Sequence, residues 1–423
     1  MRKSIILLGG ALMALLVTSC QGGKMSGDAD EGDTLPMKYA QLLTIVKHGE
    51  NDASGSLPKD GYTEVMVKNP WKKGMMLHRY ILVPKGYEGD STVAILAKRR
   101  GSGDGCVTDT VRTPVDNSVV FTSPHCQLLY ELGAKNAIRG VCDLNYINIP
   151  DIKKRAAVSQ LGALVDCGSS MAPDIERMIA LKPEALLVSP FENSGGYGKL
   201  ANLHIPIIET ADYMETSPLG RAEWMKFYGM IFGKEEGKVM RGDSLFSAVE
   251  REYLSLKAQA TRLPKGRSVL TERKTGSVWY VPGGQSTMGV LLKDANARYI
   301  FADDPHSGSL AMSPEQILAK GKEVEVWAFK YVEPKPLDRP QLLQEYDGYK
   351  ALRAFKSKNI YECNTLTQPY FELTSFHPEK LLREFIILSH IECQKQFGGL
   401  KFYREMNASD NLPVSDQTVE CRK

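Results

Sequence analysis

Apolar and polar positions alternate along two stretches near the start of the chain. Residues 62–68 and 76–84 show the period of two that is typical of half-buried strands, and the turn-forming Asn69 lies between them. This pattern predicts a β-hairpin, and residues 91–97 are a candidate for a further strand. From Asn117 onward, short apolar runs alternate with helical periodicity, which predicts strands and helices in alternation.

The α/β region begins with four short apolar runs that have the length of buried strands. The predicted strands span residues 119–121, 138–142, 185–189 and 205–209. Ser123 and Pro124 are a helix start signal, and the helix that they begin reaches Leu132. A second helix covers residues 173–181. We expect this alternation to form one βα lobe.

The segment from Ser217 to Leu263 carries helical periodicity. Ser217 and Pro218 start a helix that Gly233 ends, because a capping side chain followed by proline is typical of a helix N-terminus. The apolar positions that recur in it are Trp224, Phe227, Tyr228 and Ile231, widened by Met225 and Phe232. A second periodic run follows before Pro264. The first helix is predicted to be long and buried, since its apolar face is wider than one partner surface requires.

A similar pattern occurs once on each side of this segment. Residues 176–187 and 315–326 align without a gap, and Glu176 then matches Glu315. Each block predicts a short helix that runs into a buried strand. Two similar βα lobes joined by a long buried helix are the simplest architecture that this repetition indicates.

The N-terminus has the features of a secretory signal. Arg2 and Lys3 precede an apolar run over residues 5–17, and small residues lead to Cys20. This arrangement resembles the lipobox of bacterial lipoproteins, which implies that Cys20 becomes the lipidated first residue of the mature protein. A transmembrane anchor is the alternative, but the run is shorter than the roughly 20 apolar residues that span a bilayer.

Composition behind the signal indicates a tether and then two lobes. Gly, Asp and Ser dominate residues 21–36, and about 385 residues follow, too many for one hydrophobic core. The predicted parts of the chain are a lipoprotein signal peptide (1–20), a flexible tether (21–36), a β-rich N-terminal extension (37–110), an N-lobe (111–216), the bridging helix with the helix after it (217–263) and a C-lobe (264–423).

Charge and motif content exclude several functional classes. The formal net charge is +3, with 53 basic and 50 acidic residues and no basic helix, so we expect no nucleic-acid partner. The seven histidines form no i, i+4 pair, and no Gly-x-Ser-x-Gly motif occurs, which disfavours a zinc protease and an α/β-hydrolase. We therefore predict that the protein is not an enzyme.

Eight cysteines include Cys20, so seven others remain in the mature chain. Export permits disulfides, but an odd number leaves at least one thiol free, and the connectivity stays open. Cys126 lies on a predicted helix beside Leu129 and is expected to be a small core residue. No spacing matches an iron–sulfur or zinc motif, and we predict neither a protein-bound metal nor a covalently bound cofactor.

Short motifs spread over about residues 110–400 occur in an order that is typical of one family. They are Val119-Val-Phe-Thr-Ser-Pro124, Ile138-Arg-Gly-Val141, Asp174-Ile-Glu176, Leu181-Lys-Pro183, Ala222-Glu-Trp-Met225, Ser313-Pro-Glu315 and Tyr370-Phe-Glu372. In order and spacing the chain resembles the periplasmic substrate-binding proteins of ABC importers for iron chelates, haem and cobalamin, the class III type with a helical backbone.

The resemblance implies a fold and the location of a ligand site. It implies an α/β protein with two βα lobes joined by a long rigid bridging helix, so that closure around the ligand is small. The ligand would lie in a cleft between the lobes, where the loops at the C-terminal ends of the strands meet.

Candidate ligand-binding residues follow from this placement. In the N-lobe they are Ser123, His125, Tyr146, Phe191 and Tyr197, and in the C-lobe they are Trp279, Tyr280, Tyr370 and Phe371. Aromatic side chains suit a large flat chelate through stacking and burial of area. A purely structural interpretation is open as well, with Trp279 and Phe191 as core residues and His125 as a hydrogen-bonding residue at a helix start.

The resemblance also implies a docking role for Glu176 and Glu315, one in each lobe, which would bind arginines of the two permease subunits. The alternative is structural, because an acidic residue in the first turn of a helix stabilises the helix dipole.

We interpret the protein as an exported lipoprotein, lipid-anchored to a membrane and facing the periplasm. It would capture an iron chelate (a siderophore or haem) or cobalamin and deliver it to an inner-membrane ABC importer, a permease dimer with a cytoplasmic ATPase. The alternatives are a scavenging lipoprotein without an importer and, more distantly, an enzyme on a related two-lobed fold.

Overall fold

Two mainly parallel sheets, whose strands are buried apolar runs of the sequence, determine where the loops that follow the strands lie. The computed structural model describes residues 32–48, 61–86, 106–158, 163–192, 195–233, 235–236 and 239–406. The signal peptide with Cys20, most of the tether and the strand candidate at 91–97 lie outside the described residues. Within them, no helix combines the length and the apolar character that a membrane crossing requires.

The N-terminal extension is a five-stranded sheet. Its strands are β1 (Asp33–Leu35), β2 (Leu43–His48), β3 (Tyr62–Lys68), β4 (Met76–Pro84) and β5 (Val107–Thr113). β3 and β4 pair antiparallel, which confirms the predicted hairpin, whereas β5 lies parallel to β4. The boundary predicted between the extension and the N-lobe, after residue 110, falls inside β5.

The N-lobe contains a five-stranded parallel sheet with helices. Its strands are β6 (Ser118–Val120), β7 (Ile138–Val141), β8 (Val165–Asp166), β9 (Gly168–Ser169), β10 (Ala172–Pro173), β11 (Ala185–Val188) and β12 (Ile207–Glu209), and its helices are α1 (Ser123–Glu131), α2 (Pro150–Ala156) and α3 (Ile175–Leu181). The strand order in the sheet is β12-β11-β6-β7-β8. Every residue of β6 and β11 is buried, because helices or other layers cover both faces. The predicted strands and helices of this lobe are confirmed, with small shifts at their ends.

The extension packs on the edge of the N-lobe sheet through polar side chains of β4. The Tyr80 hydroxyl donates to the Ile207 carbonyl (3.1 Å) and accepts from the Glu209 N–H (2.7 Å), both on β12. The buried imidazole of His78 lies between Asp109 and Glu209, 3.1 Å from a carboxylate oxygen of each. These contacts cover an edge strand whose backbone groups would otherwise be open to pairing with another chain.

The segment that was predicted to be one helix from Ser217 to Gly233 is divided in the structure. Its parts are α4 (Pro218–Glu223) and α5 (Met225–Phe232), and a short hairpin of β13 (Glu235–Glu236) and β14 (Val239–Met240) leads to α6 (Arg241–Arg262). The chain turns at Trp224, whose N–H bonds back to the Arg221 carbonyl as in a tight 3₁₀ turn. The Trp224 indole N–H donates to Glu215 (3.0 Å), which fixes this turn in place. Periodicity alone could not reveal this interruption, since the apolar positions keep their helical spacing across it.

The C-lobe carries the second parallel sheet and a smaller antiparallel one. Its strands are β15 (Ser268–Thr271), β16 (Lys274–Thr275), β17 (Val278–Pro282), β18 (Arg298–Tyr299), β19 (Ser309–Met312), β20 (Val326–Tyr331), β21 (Ile360–Asn364) and β22 (Arg404–Glu405). Its helices are α7 (Thr287–Asp294), α8 (Pro314–Gly321), α9 (Arg339–Glu345), α10 (Arg353–Lys356), α11 (Tyr370–Thr374), α12 (Pro378–Ser389) and α13 (Gln394–Phe397). The larger sheet has the order β18-β15-β20-β21-β22, with only β22 antiparallel, and the smaller sheet has the order β16-β17-β19.

The long helix that joins the lobes is α6, one helix later than predicted. It has 22 residues and is therefore about 33 Å long. Its buried positions are Gly242, Phe246, Val249, Tyr253, Leu256 and Ala260, which confirms the predicted helical periodicity. It packs against α5 on the N-lobe side and against α12 of the C-lobe. At the α5 contact the backbones approach closely, since a Cβ on Gly229 would lie 2.9 Å from the Gly242 Cα.

The extension also reaches the region between the lobes through residues 38–42, here called the 38–42 segment. The backbone N–H groups of Lys38, Tyr39 and Ala40 donate to Glu223 (3.0, 2.7 and 2.9 Å), and those of Gln41 and Leu42 donate to Glu215 (3.0 and 2.9 Å). Both carboxylates are buried. Two carboxylates, that of Glu215 shortly before α4 and that of Glu223 at its end, thus accept from five consecutive backbone N–H groups.

An ionic contact also joins the lobes. His377, before α12, lies with Nε2 2.7 Å from Glu131 at the end of α1 and with Nδ1 2.9 Å from Glu379. Burial alone lowers the pKa of an imidazole, but these two carboxylates overcome that effect and raise the pKa of His377 to about 9. The imidazole is therefore charged at neutral pH and links the two lobes.

We expect the free energy of unfolding to decrease as the pH rises from about 6.5 to about 9. Below 6.5 both folded and unfolded His377 are protonated, whereas between these values only the folded form keeps its proton, so each pH unit lowers stability. The full decrease from this group is on the order of 3 kcal/mol. Denaturant titrations at several pH values measure it, and His377→Gln is the control in which this part of the slope should vanish. An unchanged slope in that variant would contradict the assignment.

Candidate functional site

The C-terminal edge of the N-lobe sheet borders a cavity of about 510 Å³, here called the N-cavity. Its lining residues are Phe121, Thr122, Ser170, Met171, Pro173, Ile175, Val188, Ser189, Pro190, Phe191, Tyr197, Lys199, Leu200 and Tyr213. Most of them follow the ends of β6, β8, β11 and β12, because parallel strands deliver their following loops to one edge of the sheet. The wall is mainly apolar and aromatic, with a few hydroxyl groups and one cation.

The C-lobe borders a second cavity of about 370 Å³, here called the C-cavity. It is lined by Glu272, Arg273, Thr275, Tyr280, Pro282, Ser286, Thr287, Met288, Ser307, Gly308 and Ser309. Glu272 and Arg273 follow β15, and Ser286 caps the start of α7. This wall is richer in hydroxyl and charged groups than the N-cavity.

The two cavities flank the same junction between the lobes. Tyr213 lines the N-cavity, and two residues further along the chain the Glu215 carbonyl accepts a hydrogen bond from the Thr287 hydroxyl (3.0 Å). Thr287 in turn lines the C-cavity. A short stretch of chain and one hydrogen bond therefore connect the lining of one cavity to that of the other.

Exposed aromatic side chains concentrate at this junction. In the part of the chain that the structure describes, the aromatic residues more than a third exposed are Tyr146, Phe191, Tyr213, Tyr280 and Phe371. Phe191 and Tyr213 line the N-cavity and Tyr280 lines the C-cavity. Tyr146 and Phe371 lie close to another lobe contact, in which the Asn148 N–H donates to Glu372 (2.9 Å). Leaving aromatic area exposed is unfavourable, so the three exposed rings that line the cavities indicate a binding surface there.

Comparison with known proteins identifies the family of this two-lobed arrangement. The sequence model of the periplasmic binding proteins matches residues 119–365, which is more than half of the chain. The chain belongs to the periplasmic binding protein family. The family resemblance predicted from the sequence and the α/β fold with two lobes are thereby confirmed. At the level of the family the role is binding rather than catalysis.

Individual relatives of this periplasmic binding protein are distant. An uncharacterized lipoprotein of Methanocaldococcus jannaschii is 26% identical over 401 residues, covering 90% of this chain and 88% of the relative. A periplasmic haem-binding protein of Pseudomonas aeruginosa is 16% identical with a TM-score of 0.49, over 66% of this chain and 93% of that chain. The periplasmic vitamin B12 binding protein of Vibrio cholerae is 13% identical with a TM-score of 0.46, over 66% and 98% respectively.

Six of the residues predicted from the sequence are at least partly exposed, and three of them line a cavity. Phe191 and Tyr197 line the N-cavity, and Tyr280 lines the C-cavity. Tyr146 and Phe371 are exposed beside the contact between Asn148 and Glu372, and Ser123 is half-buried at the start of α1. These placements keep the six residues as proposed ligand contacts.

His125 belongs instead to a buried polar cluster of this periplasmic binding protein. Its side chain is 3% exposed, and Nε2 lies 2.9 Å from Asp212 and 3.1 Å from the Tyr228 hydroxyl. The Nε atom of Arg221 lies 3.0 Å from the second carboxylate oxygen of Asp212 and forms an ion pair with it. In this structure the imidazole therefore joins α1 to the segment before α4, which agrees with the structural interpretation of His125.

Trp279 and Tyr370 are also enclosed, with 0% and 3% of their surfaces exposed. The Trp279 indole N–H donates to the Glu272 carbonyl (3.1 Å), and its ring packs edge-on against Tyr349. Trp279 is therefore a core residue in this structure rather than an exposed ring, and alanine at this position would leave a large void. Trp279 supports the loop of Glu272, which lines the C-cavity and has φ of 63°.

Most cavity residues escaped the sequence analysis, and among them Met171, Lys199, Tyr213 and Arg273 have large or charged side chains. Met171 lies in the β9–β10 turn and is 77% exposed, an unusual state for an isolated apolar side chain in a turn. Tyr213 follows β12 as Phe191 follows β11, so strand-end position was the signal that could have found it. Lys199 and Arg273 carry no pattern that separates them from other surface cations.

Hydrogen bonds and ion pairs fix several polar groups of the two walls. The Tyr213 hydroxyl donates to the Pro190 carbonyl (2.5 Å), while burial and then the nearby Glu209 raise the pKa of Tyr197. In the C-cavity Glu272 pairs with Lys330, and Arg273 pairs with Glu345. Tyr197 is therefore a neutral phenol, and the charges of the C-cavity are largely compensated.

The two proposed docking residues occupy matching places in the lobes. Glu176 lies in the first turn of α3 and Glu315 in the first turn of α8, and both are exposed. α3 leads to β11 and α8 leads to β20, and each of these strands lies next to the first strand of its lobe. Bonds from its own backbone N–H and then from Ser313 lower the pKa of Glu315, so its carboxylate is ionised.

Proposed function

We propose that this periplasmic binding protein captures an iron chelate (a siderophore or haem) or cobalamin between its lobes and delivers it to an ABC importer. The observation that carries the proposal is the concentration of exposed aromatic side chains around two cavities at the lobe junction. Such a surface suits a ligand with large apolar faces, because each stacked ring buries area and gains edge or face contacts. The volumes of the two cavities, about 510 and 370 Å³, each lie in the range of small-molecule sites.

The proposal includes a lipid anchor at Cys20 and a position facing the periplasm. Support comes from the lipobox-like sequence before Cys20 and from the archaeal relative, which is named a lipoprotein. The partner would be a permease dimer with a cytoplasmic ATPase. An anchor together with the predicted tether of residues 21–36 would keep the binding lobes close to that membrane partner.

We expect Phe191→Ala to weaken binding of the transported chelate by ten- to a hundredfold. The exposed ring lines the N-cavity, and loss of a stacked aromatic contact is on the order of 1–3 kcal/mol. Equilibrium fluorescence titration of the purified protein with ferric siderophores, haemin and cobalamin measures the effect.

Leu254→Ala is the matched control, because Leu254 is an exposed apolar residue on α6 that lines neither cavity. It should bind like the unmodified protein. If no member of the ligand panel binds, the proposed function is wrong. If Phe191→Ala and Leu254→Ala bind equally well, the ligand does not use the N-cavity.

A further inference from the structure

The turn between β3 and β4 of the extension combines positive charge with exposed apolar side chains. Residues 68–75, here called the hairpin tip, include Lys68, Lys72, Lys73 and Met75, all exposed, and Trp71, which is partly exposed. Residues 65–87 contain no aspartate or glutamate. Among the described residues, neither Lys72 nor Lys73 has a carboxylate partner. The hairpin tip is therefore a positively charged surface with an aromatic ring and a thioether side chain.

The backbone of the hairpin tip is fixed by its own hydrogen bonds. The Asn69 side-chain oxygen accepts from the N–H groups of Trp71 (3.0 Å) and Lys72 (2.9 Å), and the Asn69 N–H donates to the Met75 carbonyl (2.9 Å). Gly74 has φ of 81°, which lets the chain turn back into β4. The main hydrophobic core includes neither Trp71 nor Met75 among its described members. Core packing therefore does not explain these two side chains.

The direction of β4 determines where the hairpin tip lies. His78 contacts Glu209 at the C-terminal end of β12 (3.1 Å), whereas Lys85 contacts Glu184 just before β11 begins (2.9 Å). Because β11 and β12 are parallel, β4 runs from the C-terminal edge of the N-lobe sheet to its N-terminal edge. The hairpin tip precedes His78 and therefore extends past the C-terminal edge. The N-cavity and the first turn of α3, which carries Glu176, lie at this same edge.

The lipid anchor predicted at Cys20 is compatible with contact between the hairpin tip and a membrane. Asp33 is the thirteenth residue after Cys20, and a chain of that length spans at most about 45 Å. Within the sheet, Asp33 pairs with Lys47 and Lys47 pairs with Thr63, six residues before Asn69. The start of β1 is therefore about 20 Å from the hairpin tip. The anchor is long enough to allow the contact and short enough to favour it.

We propose that the hairpin tip is a membrane-contact site that places Trp71 and Met75 in the headgroup region of a bilayer, while its lysines bind anionic phospholipid headgroups. Tryptophan suits this region because its ring is apolar and its N–H is polar. Each lysine close to an anionic surface adds to the attraction. The contact turns the N-cavity edge of the sheet towards the membrane. This inference goes beyond the proposed function, since the extension lies outside the matched family region, residues 119–365.

Tryptophan fluorescence tests the contact directly. The chain has four tryptophans, and Trp224, Trp279 and Trp327 are 0% exposed, so a quencher in the bilayer reports on Trp71. The mature protein is held on vesicles through the lipid of Cys20 or, equivalently, through an N-terminal histidine tag and a nickel-chelating lipid. The vesicles contain phosphatidylcholine with brominated acyl chains, alone or with an equal part of phosphatidylglycerol. We expect quenching with phosphatidylglycerol, weaker quenching without it, and a decrease at about 1 M salt, where the Debye length is about 3 Å.

Charge reversal at the hairpin tip should remove the contact. We expect Lys72→Glu with Lys73→Glu to lower the equilibrium constant for contact at least about tenfold, because anionic headgroups then repel the tip. Lys153→Glu with Lys154→Glu is the matched control and should be quenched like the unmodified protein. These two lysines are also adjacent and exposed, but they lie on α2, whose end contacts the start of β7 at the opposite edge of the sheet. Both double variants should keep the unfolding midpoint of the unmodified protein.

Equal quenching of the Lys72→Glu, Lys73→Glu variant and the unmodified protein would overturn the proposal. Quenching that persists in Trp71→Phe would do the same, as would its absence from vesicles with phosphatidylglycerol. Quenching that occurs only after a permease is added would show that the partner is a protein rather than lipid, and would also overturn it. These measurements contain no chelate, so a failure of the proposed ligand function is distinguishable from a failure of the membrane contact.

Discussion

Replacing Glu176 and Glu315 together with alanine should abolish ligand uptake by the importer and leave ligand affinity within about twofold of the unmodified protein. Neither carboxylate lines a cavity, so ligand binding has no reason to change. Uptake should fail because the two acidic residues, one in each lobe, would fix the orientation of the binding protein on a two-fold permease. A planar arginine fork on each permease subunit can bind such a carboxylate through two hydrogen bonds.

The equivalence of the two sites supports this role. Both glutamates are exposed in the first turns of α3 and α8, and their helices lead to strands in corresponding sheet positions. Helix-dipole stabilisation alone amounts to about 0.3–1 kcal/mol for each residue. A change of that size in a folded protein would not affect transport, so the transport assay separates the two interpretations.

Reconstituted importer in vesicles supplies the measurement, with ATPase stimulation as a second reading. Glu323→Ala is a matched control. Glu323 is exposed, lies in the C-lobe as Glu315 does, and also belongs to the repeated block. The variant with Glu176→Lys and Glu315→Lys should support some transport when the permease arginines are changed to glutamate. Normal transport by the double alanine variant would mean that both residues only stabilise their helices.

The strands of the N-lobe, and β20 at the end of the repeated block, could be predicted from the sequence because their physical signature is local. Continuous apolar runs such as that of β11 can only be buried on both sides, and Ser217 with Pro218 marks the start of α4 where the structure has it. The division at Trp224 could not be predicted. It depends on the hydrogen bond from the indole to Glu215 and on a tertiary environment that buries the helix on all sides.

The site was only partly predictable, since exposure is decided by residues distant in sequence. His125 resembled a ligand contact at a helix start, but Asp212 and Tyr228, separated from it by 87 and 103 positions, enclose it. Phe191 and Trp279 are both aromatic residues near strand ends, yet only Phe191 remains open to a cavity. Sequence position could place the loops at the junction but could not tell which rings face the ligand.

Glu223→Ala should lower the free energy of unfolding by on the order of 3–5 kcal/mol and release the 38–42 segment from α4. Glu223 is fully buried and accepts three backbone N–H groups of that segment, and Lys226 pairs with it at 2.8 Å. Burial acts to raise the pKa of Glu223, but Lys226 and these N–H groups lower it. The stabilising effect is therefore present at neutral pH and is lost as acid protonates the carboxylate.

The matched control for this prediction is Glu250→Ala on the other side of the same segment. Glu250 bonds the Lys38 ammonium and the Tyr39 hydroxyl, but it is partly exposed and should contribute no more than about 1 kcal/mol. Denaturant unfolding gives the stabilities, and amide hydrogen exchange of residues 38–42 should accelerate only in Glu223→Ala. Equal stabilities of the two variants would show that the buried carboxylate does not hold the extension.

Release of the 38–42 segment would also remove support from α4. The Glu215 carbonyl, shortly before α4, accepts a hydrogen bond from Thr287 of the C-lobe. A shift of α4 would therefore change the separation of the two cavities.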